Sequence, residues 1–277
     1  MSAAGLKADV VLASACDGAP TITTLHVRLP RFVWAEMLTH RVLSRNARSS
    51  RAVPIARMID EVEADPVVPW HWQANQRGMQ GGEYLGRVAV ANMERAWRAA
   101  AVDAAYSAKA LADWGLHKQV VNRLLEPFLW IDALITGTEW GNFFALRDHP
   151  DAEPHIRDLA AMMRDAIEAA SVQHLDPGDW HLPYLRDAER GEPVPWQRTL
   201  SAVRCARISY APFGGQDTRE AEEARARKLM GPPLHASAFE HPAMADPDGW
   251  HAKHHRNFRG WAQSRAFVEE EMSNVTA

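Results

Sequence analysis

The chain has 277 residues, 47% hydrophobic and 24% charged, with a formal net charge of −4. That composition is too apolar for disorder, and no apolar run approaches the ~20 residues of a membrane helix. The near-neutral balance argues against broad binding to duplex nucleic acid but leaves room for a local anion pocket.

Residues 9–16 and 22–29 are rich in β-branched side chains and bounded by Gly18, Pro20 and Pro30, so strands able to pair are expected there. Over residues 32–42, Phe32, Ala35, Leu38 and Val42 share one face of an expected helix. Residues 43–53 are dense in Arg and Ser, and Pro54 starts a short helix that Asp65-Pro66 ends. Residues 66–82 hold Pro, Gly and several amide side chains, which suits an ordered loop lying across another part of the molecule. A long Ala-rich helix is expected over about 83–114 with Gly115 as its stop, and a second over about 118–134, kinked at Pro127. After the interruption at Thr136-Gly137-Thr138 comes an apolar stretch, 140–146, and then a helix capped by Asp151 and running to about 172. Residues 173–198 carry four prolines and are expected to be a connector. Beyond it, 202–210 is strand-like, and Thr218 caps a charged helix to Met230.

Mixed strands and helices without βαβ alternation favour an α+β fold. A single domain over 1–277 is expected: a main body (8–172), the connector (173–198), and a tail (199–277) packing back on the body. The absence of a basic-then-apolar leader, with Cys16 and Cys205 too few for a disulfide framework, suggests a cytoplasmic protein.

The densest chemical signal is Thr39-His40-Arg41-Val42-Leu43-Ser44-Arg45-Asn46-Ala47-Arg48-Ser49-Ser50-Arg51, with four arginines and three serines in thirteen residues. Guanidinium forks and hydroxyls together suit phosphate oxygens, and a solvated basic loop is the alternative. No Walker or GxGxxG loop is present. Arg147 closes a strongly apolar segment, where a cation needs a partner: Asp148, Asp151, a distant carboxylate or a ligand. Asn142, among aromatic residues, is either a buried hydrogen-bonding post or a ligand contact. His235, Glu240 and His241 lack the i, i+4 histidine pair of a helical zinc motif, so no metal site is expected. Both cysteines lie in apolar context and are poor nucleophile candidates.

The segment PRFVWAEMLTHRVLSRNARSSR resembles the signature of the flavin-dependent thymidylate synthases (the ThyX family): Arg-His-Arg, seven residues, then Ser. Here it reads Thr39-His40-Arg41, seven residues, Ser49, with Arg51 two places on. EWGNFFALR is similar to the family segment that ends in a pyrimidine-facing Arg, and ARISYAPF and HASAFEH resemble its ARxSY and HxxPFEH segments. The last two normally precede the Arg-His-Arg motif and here follow it, so the chain resembles a circularly permuted member of the phage and actinobacterial kind.

The resemblance implies a ThyX-like α+β fold, a mixed or antiparallel sheet flanked by long helices. It also implies conversion of dUMP to dTMP with FAD as cofactor, methylenetetrahydrofolate and NADPH as co-substrates, and a homotetramer with shared sites. In residue terms, His40, Arg41, Asn46, Asn142, His235, Ser237 and Glu240 would contact the flavin. Ser49, Ser50, Arg51 and Arg123 would hold dUMP, and Arg147 would polarise the uracil. Departures from the pattern are Thr39, Glu36 where Gln is common, Ala47, and Thr136-Gly137-Thr138 where many members have Asn-Leu-Arg. Gln263 and Arg265 are expected to return part of the lost chemistry. The same resemblance leaves open a flavin-dependent hydroxymethylase or an inactive nucleotide-binding homologue.

Overall fold

The computed structural model describes residues 5–208 and 218–276. The first two expected strands form β1 (Lys7–Cys16) and β2 (Ala19–Pro30), paired antiparallel. Leu25, Val27 and Leu29 alternate onto one face and are fully buried in the main core.

Next comes a 3-10 turn, Arg31–Val33, and one helical turn, α1 (Trp34–Met37). The helix expected over 32–42 is therefore shorter, and its inward face is Val33, Trp34 and Met37; Ala35, Leu38 and Val42 are exposed. It stops because the following backbone is used as a sheet edge: β3 (Ser44–Ala47) pairs with the strand at 130–137. Then α2 (Ile55–Ala64) follows Pro54 as expected. The long helix is α3 (Arg87–Asp113), and Gly115, at φ +83°, turns the chain after it.

The largest correction lies in 118–137. There α4 (Lys118–Val121) is a single turn, a 3-10 stretch (Asn122–Phe128) accommodates Pro127, and β4 (Trp130–Gly137) is a strand between β2 and β3. Ala133, Leu134 and Ile135 are all fully buried. A strand covered on both faces reads as a continuous apolar run, which periodicity cannot separate from a buried helix.

The apolar stretch at 140–146 is α5 (Gly141–Arg147). α6 (Pro154–Glu168) is capped by Glu153 rather than Asp151: its carboxylate accepts from His155 N and Ile156 N at 2.9 and 3.0 Å. Val172, expected in that helix, begins β5 (Val172–His174), which joins β1 in parallel and makes a mixed sheet of order β3-β4-β2-β1-β5.

The proline-rich segment holds β6 (Trp180–His181) and then α7 (Val194–Arg207). The strand expected over 202–210 is thus helix as far as Arg207; Ser209 and Tyr210 lie outside the described residues. α7 is buried on every side from Leu200 to Arg207, so it has no polar face to betray a helical period. α8 (Arg219–Met230) is capped by Thr218 as expected. β7 (Ala243–Ala245) and β8 (Trp261–Gln263) complete a three-stranded antiparallel sheet with β6, and α9 (Ser264–Thr276) ends the described chain.

A buried hydrogen-bond chain ties the two sheets together. Ser14 Oγ meets His181 Nδ1 at 2.7 Å, and His181 Nε2 meets Thr24 Oγ1 at 2.9 Å. Thr24 meets Thr136 at 2.7 Å, and Thr136 Oγ1 meets His241 Nδ1 at 2.8 Å. Burial holds both imidazoles neutral, pushing each down to about 3.

Candidate functional site

Two turns of backbone after α1 present His40 beside α5: His40 N donates to Met37 O, and Leu43 N donates to His40 O. Gly137 permits the close approach, since a Cβ there would meet Leu43 Cδ2 at 2.5 Å. At this corner the Arg147 guanidinium is fixed by three groups. Its Nε donates to His40 Nε2 at 2.9 Å, its Nη1 to Glu36 Oε2 at 2.7 Å, and its Nη2 to Thr39 Oγ1 at 3.2 Å. Of the partners left open by the sequence, the distant carboxylate is the one found. His40 is buried edge-on against Phe143, 5.0 Å between ring centres.

The electrostatics suit this arrangement. Burial, then Arg147 and Arg45, hold the His40 imidazolium well below its ordinary range, so Nε2 keeps the lone pair that Arg147 needs. Burial pushes the Glu36 carboxyl up and Glu153 adds to the rise, while Arg147 opposes it.

The tail closes on β3 from the other side. Asn257 Nδ2 donates to Val42 O and to Ser44 Oγ, both at 3.1 Å, and buried Gln263 donates to Ser44 Oγ at 3.1 Å and Asn257 Oδ1 at 3.0 Å. The 3-10 turn Ala236–Glu240 packs against β3, and Glu240 pairs with Arg265, which also reaches Glu269 at 2.7 Å. Asn46 Nδ2 donates to Cys205 O at 3.0 Å. Two of the departures from the family pattern have a structural use beyond that of Glu36. Thr39 holds Arg147, and Thr138 Oγ1 accepts from Arg259 N at 3.0 Å.

The basic segment divides unexpectedly. Arg45 is turned inward and donates to His40 O, and Arg48 forks onto Glu61 at 2.8 and 2.9 Å. Arg41 and Arg51 are exposed and have no ion-pair partner among the described residues. Near Arg51, Glu126 accepts from Ser50 Oγ at 2.7 Å and Arg123 Nη1 at 2.9 Å, and buried Asn122 donates to Ser50 O at 2.7 Å. Ser49 lies one residue before this cluster.

No group among the described residues bridges Arg51 and Arg147. The His40 corner adjoins the Ser44 end of β3, and the Glu126 cluster follows its Ala47 end. Sequence reasoning missed Glu36 and Thr39 as the groups that hold Arg147; the available signal was that both stand within four residues of His40 on a helical turn. Cys16 and Cys205 are buried, and burial pushes both thiols up, away from nucleophilic use. None of the described helices is long and apolar enough to cross a membrane.

Residues 21–171, more than half of the chain, match the family model of the thymidylate synthase complementing proteins. The chain belongs to that family. Among solved structures, the UMP/dUMP methylase PolB from Streptomyces cacaoi, bound with 5-Br UMP, shares this α+β fold at a TM-score of 0.50. The match covers 58% of this chain and 88% of PolB at 19% identity. The same methylase bound with 5-Br dUMP matches at 0.49, covering 58% of this chain and 89% of that one at 18% identity. No curated protein matches the chain.

Proposed function

We propose that this family member is a flavin-dependent methylase of a pyrimidine nucleotide, converting dUMP to dTMP with methylenetetrahydrofolate and NADPH. The reading is carried by the contact between His40 and Arg147, two ThyX-like segments 107 residues apart that meet at 2.9 Å. Arg147 has three of its N–H bonds oriented by the protein and others left to donate to a uracil carbonyl, stabilising negative charge as it grows on the ring. PolB, a UMP/dUMP methylase, has an activity that agrees with this assignment.

The residues available fit FAD. Arg41, Asn142, His235 and Ser237 are exposed, and their side chains have no partner among the described residues. They offer a cation, an amide, an imidazole and a hydroxyl to a pyrophosphate and a flavin edge. Glu240 and Asn46 would act indirectly, by setting Arg265 and the end of α7. When bound, FAD supplies hydride chemistry that no protein side chain can. At the other end of β3, Arg51 and Ser49 would bind the phosphate with Ser50 and Arg123, whose bonds to Glu126 hold them in place until then.

We place the Arg51 and Arg147 of one site on different protomers, and the proposed assembly is a homotetramer with shared sites. α3 supports it by exposing Val88, Val102 and Tyr106 together with nearby Trp114, which is 82% exposed. The FEH-like turn packed against β3, and the bond from Asn46 to Cys205 O just before the ARxSY-like segment, support reading the altered order as a circular permutation.

The test is incubation with dUMP, methylenetetrahydrofolate, FAD and NADPH, followed by mass analysis of the nucleotide. Gain of one methyl group is expected. A hydroxymethyl product would replace the reading with a hydroxymethylase, and an unchanged nucleotide with retained dUMP binding would make the chain a binding protein.

A further inference from the structure

Across Glu153 from Glu36, a cavity of about 610 Å³ opens between the loop over 71–84 and the start of α6. The loop is a braced hairpin rather than a free strap. Gln73 and Tyr84 form a β-bridge, with Leu85 N donating to Trp72 O at 2.9 Å and Gly82 N to Ala74 O at 2.8 Å. This register sets Tyr84 Oη 3.0 Å from His71 Nδ1, and His71 Nε2 lies 2.7 Å from Asp158 Oδ2. Trp70 Nε1 donates to the same carboxylate oxygen at 2.8 Å. Because a carboxylate only accepts, the neutral His71 carries its proton on Nε2, and Nδ1 accepts from the tyrosine. A hydroxyl, a base and an orienting carboxylate in hydrogen-bond sequence is the arrangement that activates an oxygen.

We infer that Tyr84, backed by His71 and Asp158, is the proton acceptor of a second small-molecule site. Its ligand carries a weakly acidic N–H or O–H and an anionic group. The proton leaves the ligand for Tyr84 Oη while the phenol's own proton passes to His71 Nδ1, and Asp158 stabilises the imidazolium. Arg157, which lines the cavity and has no side-chain partner among the described residues, receives the anionic group. Asp151 and Glu153 on the same wall oppose a ligand that is anionic throughout and favour one that turns a donor toward them. This goes beyond the proposed methylation and does not depend on it.

Acetylation by N-acetylimidazole, mapped by mass spectrometry, tests the inference on the intact protein. The reference is free N-acetyltyrosinamide in the same solution, because Tyr106 lies on the face proposed for assembly. Although Tyr84 is only 56% exposed, it is expected to react about tenfold faster than that reference or more. Asp158→Asn, which keeps an acceptor for Trp70, and His71→Gln should each bring Tyr84 down to the reference rate or below. The probe 4-hydroxybenzoate, with its phenol and carboxylate, should protect Tyr84, and Arg157→Gln should abolish that protection. A Tyr84 rate no higher than the reference would overturn the proton acceptor, and absence of protection would overturn the ligand class.

Discussion

The Arg147 guanidinium is held by an uncharged imidazole, a carboxylate and a hydroxyl, and each partner acts on it differently. Glu36 neutralises as well as orients. Glu36→Gln keeps an acceptor at that place while removing the opposing charge, so nucleotide binding measured by KM should tighten by about twofold to fivefold, the ~0.5–1 kcal/mol of a partly exposed pair. Arg147→Lys loses the fork and should lower kcat by about 10²-fold or more, as loss of a preorganised donor does, with a smaller change in KM. A steady-state comparison of the two variants separates charge from orientation. Arg48 illustrates why residue type alone misleads: it belongs to the same Arg/Ser-rich cluster as Arg51, yet it forks onto Glu61. Its residue type does not reveal that pairing, because Glu61 arrives from α2.

At the scale of elements, the buried chain from Ser14 to His241 couples the two sheets through imidazoles that must stay neutral. The unfolded chain takes up protons near pH ~6.5, while the folded His181 and His241 resist until about 3. Stability from these groups is therefore complete above ~6.5 and declines as the pH falls toward about 3, by up to ~1.4 kcal/mol per pH unit for each histidine. Urea unfolding at pH 7.5, 6.5 and 5.5 should show the decline, and His241→Asn should shallow it. α7 offers a second test. Arg204 is buried between Glu222, at 2.7 Å, and Glu189, at 2.6 Å. Arg204→Met should cost about 3–5 kcal/mol by leaving buried Glu222 unpaired, and adding Glu222→Leu should recover part of the loss in thermal melts. The elements that were legible in the sequence are those with one wet face or a clear cap, such as β1, β2, α2 and α8. β4 and α7 were misread because they are covered all round, and α1 was cut short because β3 needed its backbone. Likewise His40 and Arg147 were legible as motifs, whereas the contact of Arg147 with Glu36 is a product of tertiary packing.

For the whole molecule, the separation of Arg51 from Arg147 makes a prediction about assembly. Arg51→Ala and Arg147→Ala should each be inactive alone, yet coexpression should restore part of the activity, because a mixed assembly contains some sites with both arginines intact. Failure to complement, with both variants folded, would confine each site to one chain. Tyr106→Glu on α3 should lower the solution mass measured by light scattering. The clasp of Asn257 and Gln263 on Ser44 spans 213 and 219 residues. A nascent chain can thus lay down its larger sheet early, yet the strand beside His40 acquires these hydrogen bonds only once Asn257 and Gln263 have left the ribosome. A chain cut in the closing turn of α9 keeps the clasp, whereas one cut before Asn257 leaves that strand unfastened.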